Sequence, residues 1–279
     1  MYSYDTVRKA LALQESDIRP MLDYLLKMGT APTGLNAAYL WEAARFRFID
    51  VLYSDSAAFG DVIYAYEIRD GVVLEEWAAT NEFRDFLDAC ISERAATERV
   101  FAALESPALG SSRGWRQTDK SLEMRMPVPS RPQGARQAIS CTDEHREMIS
   151  RLMSEEWWTE DQATNFADVV LGNPQGISKI VVHEDEAKAF AHAMRDSNRA
   201  WINAVYVSGV ARGQGFGEEV CRAILSELAE QGVAEVFLGV SESNTGAIRM
   251  YERLGFRFTS FVRWEFGTVR GVSSEFPAT

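Results

Sequence analysis

The chain has 279 residues, 29 of them basic and 41 acidic, for a net charge of −12, with 46% hydrophobic and 25% charged residues. At roughly 100–200 residues per domain this is one large domain or two small ones, and the balance excludes a disordered chain, a collagen or a short-period solenoid. Residues 1–130 hold 14 basic and 20 acidic side chains and residues 131–279 hold 15 and 21, so each part carries −6, a surface that predicts no nucleic-acid partner and suits amines better, with solubility alone as the plainer reading of the charge.

Residues 17–28 carry Ile18, Met21, Leu22, Leu25 and Leu26 at helical spacing, with Gly29 as a stop. A second helical stretch covers 37–47. Then the period changes. Residues 48–53, 61–68 and 72–77 are β-rich runs, and Arg69-Asp70-Gly71 between the last two is a hairpin signal. Thr80 can cap a helix through Phe83, Phe86, Leu87, Cys90 and Ile91. Strands at 99–104 and 122–128 close this half. Residues 127–134 hold three prolines and a glycine, which cannot continue a helix or a central strand. The predicted boundary lies there, giving domains 1–130 and 131–279.

The second half predicts a strand at 137–140, a helix over 143–156 and a helix or loop over 160–171. Strands follow at 179–183 and 188–194, around the acidic turn Glu184-Asp185-Glu186, and at 201–207. Residues 218–231 form a patterned helix with Val220, Ile224, Leu225 and Leu228 on one face, stopped by Gly232. A strand at 236–240, a short helix at 245–254 stopped by Gly255, and a last strand or hairpin at 256–266 complete the order.

Cys90, Cys141 and Cys221 are far apart and lack metal-ligand spacing, which argues against a disulfide framework and a zinc site. The start, Met1-Tyr2-Ser3-Tyr4-Asp5, has no basic-then-apolar pattern. No apolar run approaches the ~18 residues of a membrane span. The expectation is a cytoplasmic protein without a membrane partner, with monomer and homodimer both open.

The run Val207-Ser208-Gly209-Val210-Ala211-Arg212-Gly213-Gln214-Gly215-Phe216-Gly217-Glu218 joins a predicted strand to a predicted helix. Alternate glycines leave backbone N–H groups uncovered at a helix start, where orphan donors and the helix dipole favour an anion. Arg212 adds a full charge. A P-loop is excluded because no Lys-Ser/Thr pair follows, and the dinucleotide fingerprint fails because Glu218 stands where its third glycine belongs. Arg-x-x-Gly-x-Gly fits, as Arg212 to Gly217. Downstream, Asn244, Ala247, Tyr251, Gly255 and Phe256 form a second constellation across a strand end and a short helix.

Together, in this order and spacing, the two blocks resemble the GNAT acyltransferase superfamily over about residues 135–270. The resemblance implies that Gly213, Gln214, Gly215, Phe216 and Gly217 hold the pyrophosphate of acetyl-CoA through backbone amides, with Arg212 at the entrance. It implies that the strand ending at Val207 splays from its neighbour, with pantetheine in the gap and a main-chain N–H near Val207 polarising the thioester carbonyl. Asn244 then contacts the CoA arm, and Tyr251 protonates the leaving thiolate. The acceptor, a small-molecule primary amine, attacks directly, without an acyl-enzyme. The alternatives are a protein or peptide amine as acceptor, or a non-catalytic acyl-CoA-binding module.

No universal base transfers with the family. Glu155, Glu156, Glu160 and Asp161 stand in the segment expected to border the acceptor, beside Trp157 and Trp158. Glu156 and Glu160 are the foremost base candidates, weighed against the plainer reading of solvated acids at a helix end. His192 on a predicted strand is a further candidate, more often structural.

The first half follows a similar element order. Residues 113–124 look like the Gly-Phe-strand ending of a GNAT domain, and the layout resembles tandem GNAT proteins such as mycothiol synthase. The expected fold class is therefore α/β (a mixed α+β sheet), with two GNAT-like domains in tandem, each a twisted mixed sheet flanked by helices. The first copy is degenerate. Its strand-to-helix junction at 78–85 lacks glycine and carries Glu82 and Asp85, so it is expected not to bind CoA and to act as a scaffold.

Overall fold

The computed structural model describes residues 7–9, 50–54, 62–68, 71–78, 100–104, 116–130, 137–155 and 158–267. The helices expected at 17–28, 37–47 and after Thr80 lie outside the described residues, as do Cys90 and the junction at 79–85. The chain divides into two compact units, one of residues 1–122, 241–243 and 261–279, the other of residues 123–240 and 244–260.

The first unit contains β1 (Val7–Lys9), β2 (Asp50–Ser54), β3 (Val62–Ile68), β4 (Gly71–Ala78) and β5 (Val100–Leu104). The pairs β1/β2, β2/β3 and β3/β4 are antiparallel and β4/β5 is parallel. Ile68 pairs with Gly71, so β3 and β4 form the expected hairpin, but Gly71 stands in the ladder as the first residue of β4 and not in the turn.

Two long strands, β6 (Arg116–Pro127) and the C-terminal β12 (Arg257–Gly267), cross the unit boundary in sequence. β6 begins six residues before the predicted start at 122 and already runs through the polar stretch Arg116-Gln117-Thr118-Asp119-Lys120-Ser121. That stretch has no apolar alternation to announce a strand. The cut between units falls inside β6, ahead of the proline-rich stretch, whose first residues are still tethered: the Val128 amide donates to the Ala234 carbonyl at 2.9 Å.

The second unit holds β7 (Ile139–Ser140), α1 (Arg146–Met153), α2 (Glu160–Gly172), β8 (Gly176–His183), β9 (Glu186–Asp196), β10 (Arg199–Val207), α3 (Phe216–Glu230), β11 (Glu235–Ser241) and α4 (Thr245–Leu254). Its strand order is β12-β6-β11-β10-β9-β8-β7. β7/β8, β8/β9 and β9/β10 are antiparallel, and β10/β11 is parallel. The helix expected over 143–156 is shorter. It opens with a 3-10 turn at Asp143–His145 and ends at Met153.

β9 is buried on both faces and reads small-large-small. Ala189, Ala191 and Ala193 alternate with Phe190, His192 and Met194, all fully buried. On the large face, Phe190 meets Phe166 of α2 edge-on at 6.0 Å. The alanine face lies beside Lys179 of β8, whose ammonium reaches Glu227 of α3 at 2.5 Å. The helices α2 and α3 therefore cover opposite faces, and the alanines give α3 room to lie close. Met124, Ile149, Phe237 and Phe256 complete the core. Among the described residues, no helix is long and apolar enough to cross a membrane.

Candidate active site

The parallel ladder between β10 and β11 is short. It pairs Arg199 with Glu235 through Ile202 with Leu238, while β10 runs on to Val207 and β11 to Ser241. A bulge between Ile202 and Ala204 marks where β10 changes its pairing with β9. Beyond it the two parallel strands part, the splay expected from the sequence. The Ser208 amide donates to the Lys188 carbonyl of β9 at 3.0 Å. Successive amides of a strand alternate in direction, so the N–H of Val207 points to the opposite edge, the one β11 has left.

β10 leads through a 3-10 turn at Gly209–Ala211 into the glycine loop. The three glycines there do different things. Gly213 has φ +77° and Gly215 φ +88°, left-handed conformations that favour glycine. Gly215 is the N-cap of α3 and has no side chain to cap it, so the first amides of α3, including Phe216 and Gly217, are not met by a side-chain cap. Two other helices of this unit do cap themselves: Thr159 bonds the Gln162 amide of α2 and Asn244 the Ala247 amide of α4. Gly217 is buried. A Cβ there would come 3.1 Å from Val207 Cγ2 and 3.3 Å from Met250 Sδ, so this glycine lets α3 approach β10 and α4. Arg212 and Gln214 are exposed on the loop, and the Gln214 side-chain amide donates to the Val210 carbonyl at 3.1 Å.

The acids of the first α3 turn have their own partners. Glu218 takes Arg222 at 2.6 Å and Arg253 of α4 at 3.0 Å. The hydrogen bond from Arg222 is the main cause holding its carboxyl below the usual range. Glu219 accepts the Gln137 amide at 2.6 Å.

Tyr251 stands on α4, buried, its ring edge-on to Phe256 at 5.8 Å. Burial, and secondarily the neighbouring Cys221, push its phenol well above the ordinary value, so it is protonated at neutral pH. Burial likewise raises the Cys141 and Cys221 thiols to about 12, the reverse of what a nucleophilic cysteine needs. Asn244 caps α4 at its start, with its side-chain oxygen on the Ala247 amide at 3.0 Å. Sequence reasoning assigned it only to CoA, although Asn directly before a helical stretch is also a capping signal.

The acidic candidates separate. Glu155 is tied to the end of β10. Its carboxylate accepts the Ser208 hydroxyl at 3.0 Å and the Gly209 amide at 3.1 Å. Glu160 and Asp161 are exposed in the first turn of α2, where carboxylates suit the positive helix end. Glu156 and Trp157 lie outside the described residues. Trp158 packs edge-on against Phe166 at 5.3 Å and lies beside the Tyr206 phenol, which burial raises. His192 is fully buried with a ring nitrogen 2.7 Å from the Ser178 hydroxyl, the structural arrangement usual for a strand histidine. Among the described residues, no cluster of His, Cys, Asp and Glu could hold a metal ion.

The Acetyltransferase (GNAT) family model matches residues 139–256. The mycothiol acetyltransferase of Streptosporangium roseum is 48% identical over 67 residues, 23% of this chain and 18% of that protein. The spermine/spermidine N(1)-acetyltransferase of Bacillus subtilis is 32% identical over 63 residues, 22% of this chain and 41% of that protein. The chain therefore spans less than half the length of these relatives. A GCN5-related N-acetyltransferase from Sphaerobacter thermophilus superimposes with a TM-score of 0.65 at 14% identity over 98% of both chains. A tandem GNAT protein from the clavulanic acid biosynthesis pathway does so with 0.64 at 14% identity, over 96% of this chain and 99% of that one. At such identity these two matches speak for the fold alone.

Proposed function

We propose, from the match of residues 139–256 to the Acetyltransferase (GNAT) family model, that the chain transfers the acetyl group of acetyl-CoA to a primary amine of a small molecule by direct attack. The observation that carries this reading is one continuous path. β10 loses β11 as a partner after Ile202, turns the Val207 N–H into the gap, and runs into a glycine loop whose helix start lacks a side-chain cap.

In this reading the amides of Gly213, Gln214, Gly215, Phe216 and Gly217 take the CoA diphosphate, with Arg212 adding charge at the entrance. The thioester lies in the gap, its carbonyl oxygen on the Val207 N–H, which is stronger toward the developing oxyanion than toward the ground-state carbonyl. The amine nitrogen bonds to the carbonyl carbon as the C–S bond breaks. The amine's proton passes to a carboxylate or to water, with Glu155, Glu156 and Glu160 the candidates. The phenol of Tyr251 gives its proton to the departing thiolate. Asn244 contacts the CoA arm through the amide nitrogen that its capping role leaves over. The relatives named for mycothiol and for spermine and spermidine support a small-molecule acceptor.

The first unit is read as a second copy of the same motif, because each unit has three antiparallel pairings followed by one parallel pairing. It is read as a scaffold that does not bind CoA, because the sequence at 78–85 has no glycine.

The test is release of free thiol from acetyl-CoA across a panel of small amines and a peptide library, with CoA binding followed by calorimetry. Turnover with small amines is expected. Turnover with peptides alone reassigns the acceptor, and binding without any turnover reduces the chain to an acyl-CoA-binding module.

A further inference from the structure

The first turn of α3 contains a conflict. A carboxylate near a helix N-terminus stabilises the helix through its dipole, yet it repels any anion bound at the same end. Glu218 is the third residue of α3. Its side chain is only 24% exposed, and it is clasped from two directions. One oxygen takes both Nε and Nη2 of Arg222 at 3.1 and 2.6 Å, and the other takes Nε and Nη2 of Arg253 at 3.3 and 3.0 Å. Arg222 follows on the same helix, and Arg253 comes from the last turn of α4. One negative and two positive charges leave the cluster at +1, within about a turn of the glycine loop.

We propose that Glu218 is an affinity-setting residue, a counterweight that holds two arginine charges in place beside the glycine loop and keeps them from binding the CoA diphosphate too tightly for release. This rests on the reading that residues 212–217 hold that diphosphate. Glu218→Gln changes the cluster from +1 to +2, whereas Arg253→Ala changes it to zero. The two substitutions break the same bridge between α3 and α4, yet they shift the local charge in opposite directions. A purely mechanical role gives both variants the same sign, and an electrostatic role gives them opposite signs.

The experiment is calorimetric titration of the full chain with CoA at low ionic strength, repeated at high salt. Glu218→Gln is expected to bind CoA about threefold tighter and Arg253→Ala about threefold weaker, with both differences shrinking as added salt screens the charges. Weaker or unchanged binding by Glu218→Gln, with the wild type binding normally, overturns the inference and leaves the acetyl-CoA reading standing. Should Glu218→Gln not fold, Arg253→Ala carries the test, because weaker binding that salt does not reduce overturns the inference as well. A wild-type chain that binds no CoA overturns both readings at once.

Discussion

The carboxylate of Glu155 accepts the amide N–H of Gly209 at 3.1 Å, across 54 residues of chain, while its other oxygen takes the Ser208 hydroxyl. This joins the residues after α1 to the turn that follows β10. Glu155→Ala removes both bonds but leaves the exposed Gly209 amide open to water, so the loss of stability is expected to be only about 0.5–1.5 kcal/mol. The larger effect falls on the segment before α2, which borders the acceptor in the proposed reaction. The KM for the amine is expected to rise more than the KM for acetyl-CoA. Steady-state kinetics in both substrates measure the split, and equal rises in the two constants would count against it.

The glycines of the loop predict two different failures. Gly217→Ala puts a methyl 3.1 Å from Val207 Cγ2 and 3.3 Å from Met250 Sδ, a buried overlap with an expected cost of about 1–3 kcal/mol. Gly213→Ala meets nothing within 4 Å, but its φ of +77° is strained for alanine, an expected cost of about 1 kcal/mol. Urea midpoints rank the two. Were Gly213→Ala the more damaging, the space around Gly217 would not be the limiting factor.

In the second unit the elements with local signals were legible. The helix at 245–254 matches its predicted ends because Asn244 caps it and Gly255, at φ +110°, stops it. The glycine loop was legible for the same reason. What escaped notice joins residues distant in sequence: Glu155 with Gly209, Glu218 with Arg253, and Asp119 with the hydroxyls of Ser241 and Ser243. Nothing in local patterning announces such partners. Only the Glu218–Arg222 half of its cluster shows in sequence, as an i,i+4 pair.

Asn244 carries a structural role and a proposed ligand role on the two ends of one amide, and two substitutions separate them. Asn244→Ala removes the cap on the Ala247 amide and is expected to cost about 1 kcal/mol of stability. Asn244→Asp keeps a capping oxygen and is expected to restore most of that loss. It does not restore the donor proposed for the CoA arm, so its KM for acetyl-CoA stays raised. Recovery of both stability and KM would reduce Asn244 to a cap.

The buried acids Tyr251 and Cys221 make stability fall on the alkaline side. Both are raised above their ordinary values in the folded chain, Cys221 from 9.0 to about 12 and Tyr251 well beyond 10. Between the unfolded and folded values the native state holds a proton that the unfolded chain has lost, so unfolding releases protons and stability decreases as pH rises. The contribution is complete below pH 9 and declines above it, first through the thiol and then, past pH 10, through the phenol. Each buried group adds a slope of about 1.4 kcal/mol per pH unit inside its window. Unfolding free energies from pH 7 to 11 are expected to be flat and then to drop. Cys221→Ala should remove part of the slope that begins at pH 9, the raised Cys141 keeping the rest, and Tyr251→Phe part of the slope that begins at pH 10, the raised Tyr206 keeping the rest. Tyr251→Phe should also lower kcat for acetyl transfer at neutral pH by roughly two to four orders of magnitude, the worth of a positioned acid, while leaving CoA affinity near the wild-type value. An unchanged kcat removes Tyr251 from the role of acid and leaves only its part in the alkaline slope.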